Sequence, residues 1–438
     1  MKFLKSVFVL LLFTLLPTDF FLTDAFAAKK LLILYSTGGH ATAARSIEKL
    51  VETHLPDFEV VRHDFALELT GFPKWFYLEG FNLMSRYLNW VNKYAIRSEW
   101  KAADRTPSLV SERSMARFNQ PDKILEYIEQ IHPDIIIATH FSMAQTLAVL
   151  REEGHLKDIP IAWTHLDMVS NIFYKQIGSE LDMSFVPTEA MQMEWAELMD
   201  PQKVIATGIP IMPDMLERSE RHHEEDAISF GLDPEVPIVL LMGGSLGLMN
   251  YSEIIKNVSK SFKRVNNSPV QFLAICGKNE KARKNLKRWS KTSRFPENAR
   301  LEATGFLNAS QLIKSESASN LIISKAGGLT TFELLTAELP LIMTQGVGFN
   351  EQFNAKFLEE EGAAMYVTED SRLGDAAFDL LKDTEKLTLM VENQQRMKSH
   401  FKLEKIVEWV KNPGLAHTGF PSERILERLI QHRPVNSI

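Results

Sequence analysis

Beyond residue 28 the chain alternates short, continuous apolar runs with longer amphipathic stretches. Residues 31–35, 58–61, 135–138, 159–163 and 183–186 read as strands. Between them, 41–54, 121–131 and 142–153 have the length and spacing of helices. Uninterrupted apolar strands separated by helices mark a parallel sheet covered on both faces. The rhythm then restarts. Residues 210–213 (PIMP) and the charged stretch 217–226 read as a linker and a first helix. Strands follow at 238–242, 271–275, 300–304, 321–324 and 339–344. The expected fold is α/β, two doubly wound Rossmann-like domains facing a cleft, with ligands at the carboxyl ends of the strands.

Composition narrows the classes of function. A chain of 438 residues suffices for two domains, each with its own core. A formal net charge of -7 argues against a general nucleic-acid binder. The lone cysteine, Cys276, excludes an intramolecular disulfide and a cysteine metal cluster, and its apolar surroundings suit a buried small hydrophobe. Residues 1–27 stand apart: Lys2 and Lys5 precede the apolar run 7–16, and Ala25 and Ala27 form a small-x-small site before Ala28. That is the layout of a secretory signal peptide, with an uncleaved anchor as the other reading. No later stretch reaches 18 apolar residues, so no further membrane span is expected.

Three glycine-rich turns follow strands. The first is Gly38-Gly39-His40, preceded by Thr37. The second is Gly243-Gly244-Ser245-Leu246-Gly247, with Asn250 just beyond. The third runs from Ser324 through Lys325, Gly327, Gly328, Thr330 and Thr331 to Glu333. Glycines let a backbone approach a phosphate, and a helix N-terminus offers free N–H groups there. Thr330 and Thr331 are candidate hydroxyl donors, and Glu333 is a candidate acceptor for two ribose hydroxyls. An ordinary capped helix start would also account for any one of these turns. None matches the dinucleotide fingerprint or a Walker loop, which weakens the dehydrogenase and P-loop readings. His40, with an ordinary imidazole pKa near 6.5, suits a general base, and Asp167 is its rival or its orienting group.

In order and spacing these motifs resemble one family. Gly38-Gly39-His40, the PDIIIATH run at 133–140, FVPTE at 185–189, TGIP at 207–210, the 243–247 loop, the Lys325 to Glu333 helix start and the Glu351/Asn354 pair are its marks. The family is the glycosyltransferases that include monogalactosyldiacylglycerol synthase and bacterial diacylglycerol glucosyltransferases (family 28), related to the lipid II-forming N-acetylglucosaminyltransferase. The resemblance implies a GT-B fold and an inverting transfer without a bound metal or other cofactor. The chain also lacks an Asp-x-Asp motif. It implies a UDP-sugar donor, with Glu333 on the ribose, Gly327, Gly328 and Thr331 on the diphosphate, and Glu351 with Asn354 on the sugar. Phe306 would lie beside uracil, and Gly243, Gly244, Ser245, Lys325 and Thr330 would complete the donor site. Gly38, Gly39 and His140 would form the acceptor-side loops. Leu166 departs from the family's usual Thr beside Asp167.

The acceptor side is read from residues 71–105, with nine aromatics and six Lys/Arg against three acids. Basic, aromatic-rich stretches suit an interfacial helix on an anionic membrane, although packing on its own core would use the same aromatics. The expected organisation is a leader or anchor over 1–27, an acceptor and membrane domain over 28–213 and a nucleotide-sugar domain over 214–415. A final helix over 416–438 would return to the first domain. The expected partners are a UDP-sugar, a diacylglycerol-like lipid and an anionic membrane surface, and no nucleic acid. A membrane-associated enzyme on the cytoplasmic face of a bacterial inner membrane follows, with export left open by the leader. A polyprenyl or other lipid acceptor and a UDP-sugar epimerase of the same fold are the alternatives.

Overall fold

The computed structural model describes residues 28–36, 38–80, 83, 116–168, 180–197, 199–218, 221–264, 267–346 and 349–414. The leader, most of the basic aromatic stretch, Thr37 and the 416–438 segment of the sequence reading lie outside them.

The first sheet opens with β1 (Lys29–Tyr35), helix α1 (Gly39–His54), β2 (Phe58–Asp64) and the short helix α2 (Gly71–Trp75), extended by a π-type turn, Phe76–Gly80. It continues through α3 (Pro121–Ile131), β3 (Ile135–Ala138), α4 (Phe141–Glu152), β4 (Ile161–Thr164), β5 (Met183–Val186), α5 (Glu189–Ala196) and β6 (Val204–Ala206). Helices α6 (Pro213–Leu216) and α7 (His223–Ser229) lead to the second sheet. Its first half is β7 (Ile238–Met242), α8 (Tyr251–Arg264), β8 (Val270–Ile275), α9 (Glu280–Trp289) and β9 (Ala299–Thr304). Its second half is α10 (Ala309–Ser317), β10 (Leu321–Lys325), α11 (Gly328–Leu335), β11 (Leu341–Thr344), α12 (Phe349–Glu360) and β12 (Met365–Val367). Helices α13 (Leu373–Lys382), α14 (Thr384–Lys398) and α15 (Glu404–Lys411) end the described chain.

Both sheets are wholly parallel, in the orders β2-β1-β3-β4-β5-β6 and β12-β11-β10-β7-β8-β9. Strand order reverses between β1 and β3 in the first sheet and between β10 and β7 in the second. Such switch points leave a crevice at the strands' carboxyl ends. All three glycine turns leave strands that flank these crevices. In the first sheet, successive side chains point to opposite faces. Leu32, Leu34, Ile136 and Ala138 enter one core, and Leu31, Ile33, Ile135 and Ile137 enter the other.

Several boundaries differ from the sequence reading. Strands β4 and β11 start just after Pro160 and Pro340, which have no N–H for the ladder; instead their carbonyls accept from Ile136 and Ile322. The three-residue strands β6 and β12 are too short for periodicity to reveal. Helix α7 begins at His223, inside the charged stretch expected to hold a linker and a first helix. Arg221 Nε donates to Ser317 O at 2.8 Å, and His222 N to Ser317 Oγ at 3.0 Å.

The chain also returns to the first domain earlier than expected, so the second domain does not extend to residue 415. Lys402 N donates to Thr207 O at 2.9 Å. Helix α15 then places Ile406, Val407, Trp409 and Val410 in the core shared by β1, β3 and α1. Trp409 is fully buried, edge-on to Phe185 at 5.7 Å. Trp409→Ala should cost about 3–5 kcal/mol, the usual range for emptying a buried tryptophan site. Urea unfolding followed by Phe and Trp fluorescence would show it, and a loss below about 1 kcal/mol would mean that the helix is an appendage rather than core.

Candidate active site

The acceptor-side loop begins where β1 ends. Gly38 has φ 77°, a left-handed conformation that L side chains rarely adopt, and it turns the chain into α1. The first helical turn carries His40. Its Nδ1 lies 2.6 Å from Thr139 O, and Thr139 Oγ1 returns a bond to His40 O at 3.2 Å. A carbonyl only accepts, so Nδ1 carries the proton and Nε2 is the basic nitrogen. Burial drives the His40 pKa down to about 4, against a smaller upward pull from the Thr139 carbonyl. His40 is therefore a neutral imidazole at physiological pH. Its neighbour His140 caps α4 and packs with ring centroids 4.5 Å apart. Burial, then the nearness of His40, holds His140 well below the ordinary imidazole value.

On the opposing domain, β7 ends in the Gly243–Gly247 turn and β10 in the Lys325–Gly328 turn. Gly244 has φ 70°, and a Cβ there would sit 2.9 Å from Lys325 Cε, so the two turns are packed together. The Lys325 ammonium pairs with the Glu351 carboxylate, both side chains mostly buried. Ser245 O accepts from Lys278 N at 2.9 Å, bracing the first turn. Thr330 lies beside the Gly327 turn: a Cβ on Gly327 would come 3.9 Å from its Oγ1. Phe306, on the loop after β9, is 57% exposed, so its ring is available to stack on a planar ligand.

Glu333 is buried in α11; its backbone carbonyl accepts from Thr336, and its carboxyl makes no hydrogen bond among the described residues. Burial, then the neighbouring Glu316 carboxylate, raises its pKa to about 8, with Arg218 opposing. Glu316 is itself fully buried and paired with Arg218, and burial outweighs that partner to raise its pKa to about 7. The sequence reading missed Glu316 and Arg218, which are far apart in the chain and carry no motif. Thr139 stood in the PDIIIATH run but without a role of its own.

Three of the expected donor-site residues are also engaged within the protein. The Thr331 hydroxyl donates to Gly327 O at 2.8 Å, one turn back, and braces the turn rather than facing a ligand. Gly328 is required by backbone approach across the cleft: a Cβ there would meet Leu166 O at 1.6 Å. Asn354 is fully buried with both ends satisfied. Its Nδ2 donates to Asp167 Oδ1 at 3.2 Å and Ala326 O at 3.0 Å, and its Oδ1 accepts from Met168 N at 2.9 Å. Asn354 thus clamps the two domains together. Asp167 also accepts from Asn350 Nδ2 at 3.0 Å. Burial raises its pKa, against those two amide bonds. The structure gathers His40 and His140 on one wall and the Gly243, Lys325 and Glu351 groups on the other. The walls meet at Gly39, where a Cβ would lie 3.5 Å from Leu329 Cβ.

Two parallel sheets, glycine turns at both switch points and an acidic residue within the donor-side helix define a nucleotide-sugar-type site on the GT-B fold. Comparison with known proteins identifies the lineage. Residues 40–211 match the profile of monogalactosyldiacylglycerol (MGDG) synthase, and residues 238–412 match the glycosyltransferase family 28 C-terminal domain. The chain belongs to this family of UDP-sugar hexosyltransferases. It is 28% identical over 296 residues to a processive diacylglycerol beta-glucosyltransferase of Bacillus pumilus, covering 66% of this chain and 72% of that one. It is 25% identical to monogalactosyldiacylglycerol synthase 1 of Arabidopsis thaliana, covering 88% and 71%. Among solved structures, the S. aureus MnaA–UDP complex shares the fold with a TM-score of 0.59 at 14% identity, covering 90% of this chain and 99% of that one.

Proposed function

We propose that the protein is an inverting glycosyltransferase that moves a hexose from a UDP-sugar to a diacylglycerol-type lipid at a membrane surface. The observation that carries this reading is the placement of a neutral His40, with Nε2 as its basic nitrogen, on a loop that touches the donor-side helix at Leu329. His40 would take the acceptor hydroxyl's proton. Glu333 would accept from the ribose, and Phe306 would cover uracil. The diphosphate would lie on the 243–247 and 325–330 turns. Glu351, held by Lys325, remains the candidate for the sugar hydroxyls, and Asp167 serves to orient the cleft. The relatives' named substrate supports diacylglycerol as the acceptor class. The deciding experiment offers purified protein a panel of UDP-sugars with diacylglycerol vesicles and reads products by mass spectrometry. UDP-sugar isomerised in the absence of lipid, with no glycolipid formed, would replace this reading by the epimerase one.

The acceptor class and one surface feature support membrane association, which we place on the cytoplasmic face of an inner membrane. Among the described residues no helix is long and apolar enough to cross a membrane. Phe72 is nevertheless 63% exposed and Trp75 42%, with Leu67 and Leu83 also exposed close by in sequence. Phe72→Ser with Trp75→Ser should weaken vesicle binding tenfold or more, since each ring buried at an interface contributes about 1.5–3 kcal/mol. Lys93, Arg97 and Lys101 changed to Gln should remove the salt-sensitive part, about 1 kcal/mol per charge. Co-sedimentation of the chain begun at Ala28 checks both, and binding unchanged in both variants would assign membrane contact to other residues.

A further inference from the structure

The hydrogen bonds behind the two imidazoles reach back to the exposed aromatic helix. Tyr77 belongs to the turn that extends α2, yet its ring is buried, edge-on to Phe65 and His140. Its hydroxyl lies 2.8 Å from Asn119 Oδ1 and 2.9 Å from Ser142 Oγ. Ser142 Oγ is in turn 2.8 Å from His140 Nδ1, and Ser142 N–H points at the same nitrogen from 3.2 Å. A ring nitrogen that receives a backbone N–H carries no proton of its own. The Ser142 hydroxyl therefore donates to it, and the His140 proton is on Nε2. Asn119, fully buried, donates to Ser142 O and Thr146 Oγ1, each at 2.9 Å. A satisfied buried network of this kind fixes one arrangement, where an apolar core would only fill space.

His40 thus has a bare, basic Nε2, and His140, 4.5 Å away between ring centroids, has a protonated Nε2. Neither Nε2 has a hydrogen-bond partner among the described residues. One acceptor and one donor on adjacent rings match a hydroxyl group, which gives one hydrogen bond and receives another.

We propose that Tyr77 and Ser142 are positioning residues that lock His140 as an Nε2–H donor, so that it holds the acceptor hydroxyl while His40 takes the proton. This rests on the reading of His40 as base. In the transfer, the hydroxyl oxygen forms its bond to the anomeric carbon. The bond from that carbon to the β-phosphate oxygen breaks, and its electron pair leaves with UDP. The hydroxyl proton passes to His40 Nε2 and from there to solvent. His140 keeps its proton throughout.

The test compares Tyr77→Phe and Ser142→Ala with the parent full-length chain. Both variants should lower kcat toward lipid roughly 10–100-fold, the usual scale for residues that orient a working group, with the KM for UDP-sugar within about twofold. Nitrogen-15 histidine spectra should show His140 as a single Nε2–H tautomer in the parent and a measurable share of the Nδ1–H form in Ser142→Ala, where the 2.8 Å hydroxyl bond is gone and only the longer 3.2 Å backbone bond still holds Nδ1. Parent-like turnover and an unchanged tautomer in both variants would overturn the proposal. So would a slower enzyme whose tautomer is unchanged and whose UDP-sugar KM has risen in step, because that pattern marks general loosening. His40→Ala serves as the separating control. Full turnover in that variant would overturn the base reading, whereas a slow His40→Ala beside fast Tyr77→Phe and Ser142→Ala would overturn only the positioning.

Discussion

His40→Ala should lower turnover roughly 10²–10⁴-fold while leaving UDP affinity nearly unchanged, the pattern of a lost general base. The ring bonds Thr139 O and packs on His140, both of the first domain, which predicts the split between turnover and nucleotide binding. The pH profile should carry a second sign. Burial lowers the His40 pKa to about 4, so the free base is present at every pH above that value. The acid limb of kcat/KM should therefore fall near pH 4, well below the ordinary imidazole value of about 6.5. Steady-state rates from pH 4 to 8, with UDP titration calorimetry on the variant, test both points. An alanine variant within a few-fold of the parent would leave Asp167 as the candidate, despite the two amide bonds that occupy it.

Glu333→Ala should cost roughly 2–4 kcal/mol of UDP binding, the range for removing a buried acceptor of two hydroxyls. The carboxyl's raised pKa gives this site a pH signature. An ionised carboxylate accepts ribose hydroxyls better than a neutral acid. UDP should thus bind more tightly as pH rises from 6.5 through about 8, with proton release on binding. Glu333→Gln should flatten that dependence. The linked stability effect has the opposite sense. A carboxyl whose folded pKa is about 8 and unfolded pKa near 4.5 stays protonated in the fold while the unfolded chain ionises. Stability from this group is complete below pH 4.5 and is lost as pH rises toward 8. The unliganded Glu333→Gln variant should accordingly melt above the parent at pH 8 and close to it at pH 5. Calorimetry in two buffers of different ionisation enthalpy reads the proton release. UDP affinity that does not change in the alanine variant would remove α11 from the nucleotide site.

The two sheets were legible because their strands are continuous apolar runs, and the three turns because glycine pairs at strand ends are rare enough to notice. Periodicity missed strands such as Val204–Ala206, which three residues cannot make visible. The site was legible as positions and less so as roles. Thr331 and Asn354 stand where the family pattern puts ligand contacts, yet local geometry commits the hydroxyl of one to Gly327 and the amide of the other to Asp167 and Met168. Nothing in a one-dimensional string reports that Leu166 O presses on Gly328, or that Glu316 lies near enough to Glu333 to raise its pKa. Those facts arise only when distant segments meet.

The early return of the chain has a consequence for biosynthesis. The first sheet is complete by Ala206, but the core on one of its faces includes Trp409 and Ile406. A ribosome adds about 5–20 residues per second, so roughly 10–40 s separate the emergence of the sheet from that of the helix that closes it. During that interval Leu31, Ile33, Ile137 and Phe185 lack part of their cover, and the nascent first domain offers an apolar slot to chaperones or to other nascent chains. Protection from early aggregation is thus deferred to the last helix of the described chain.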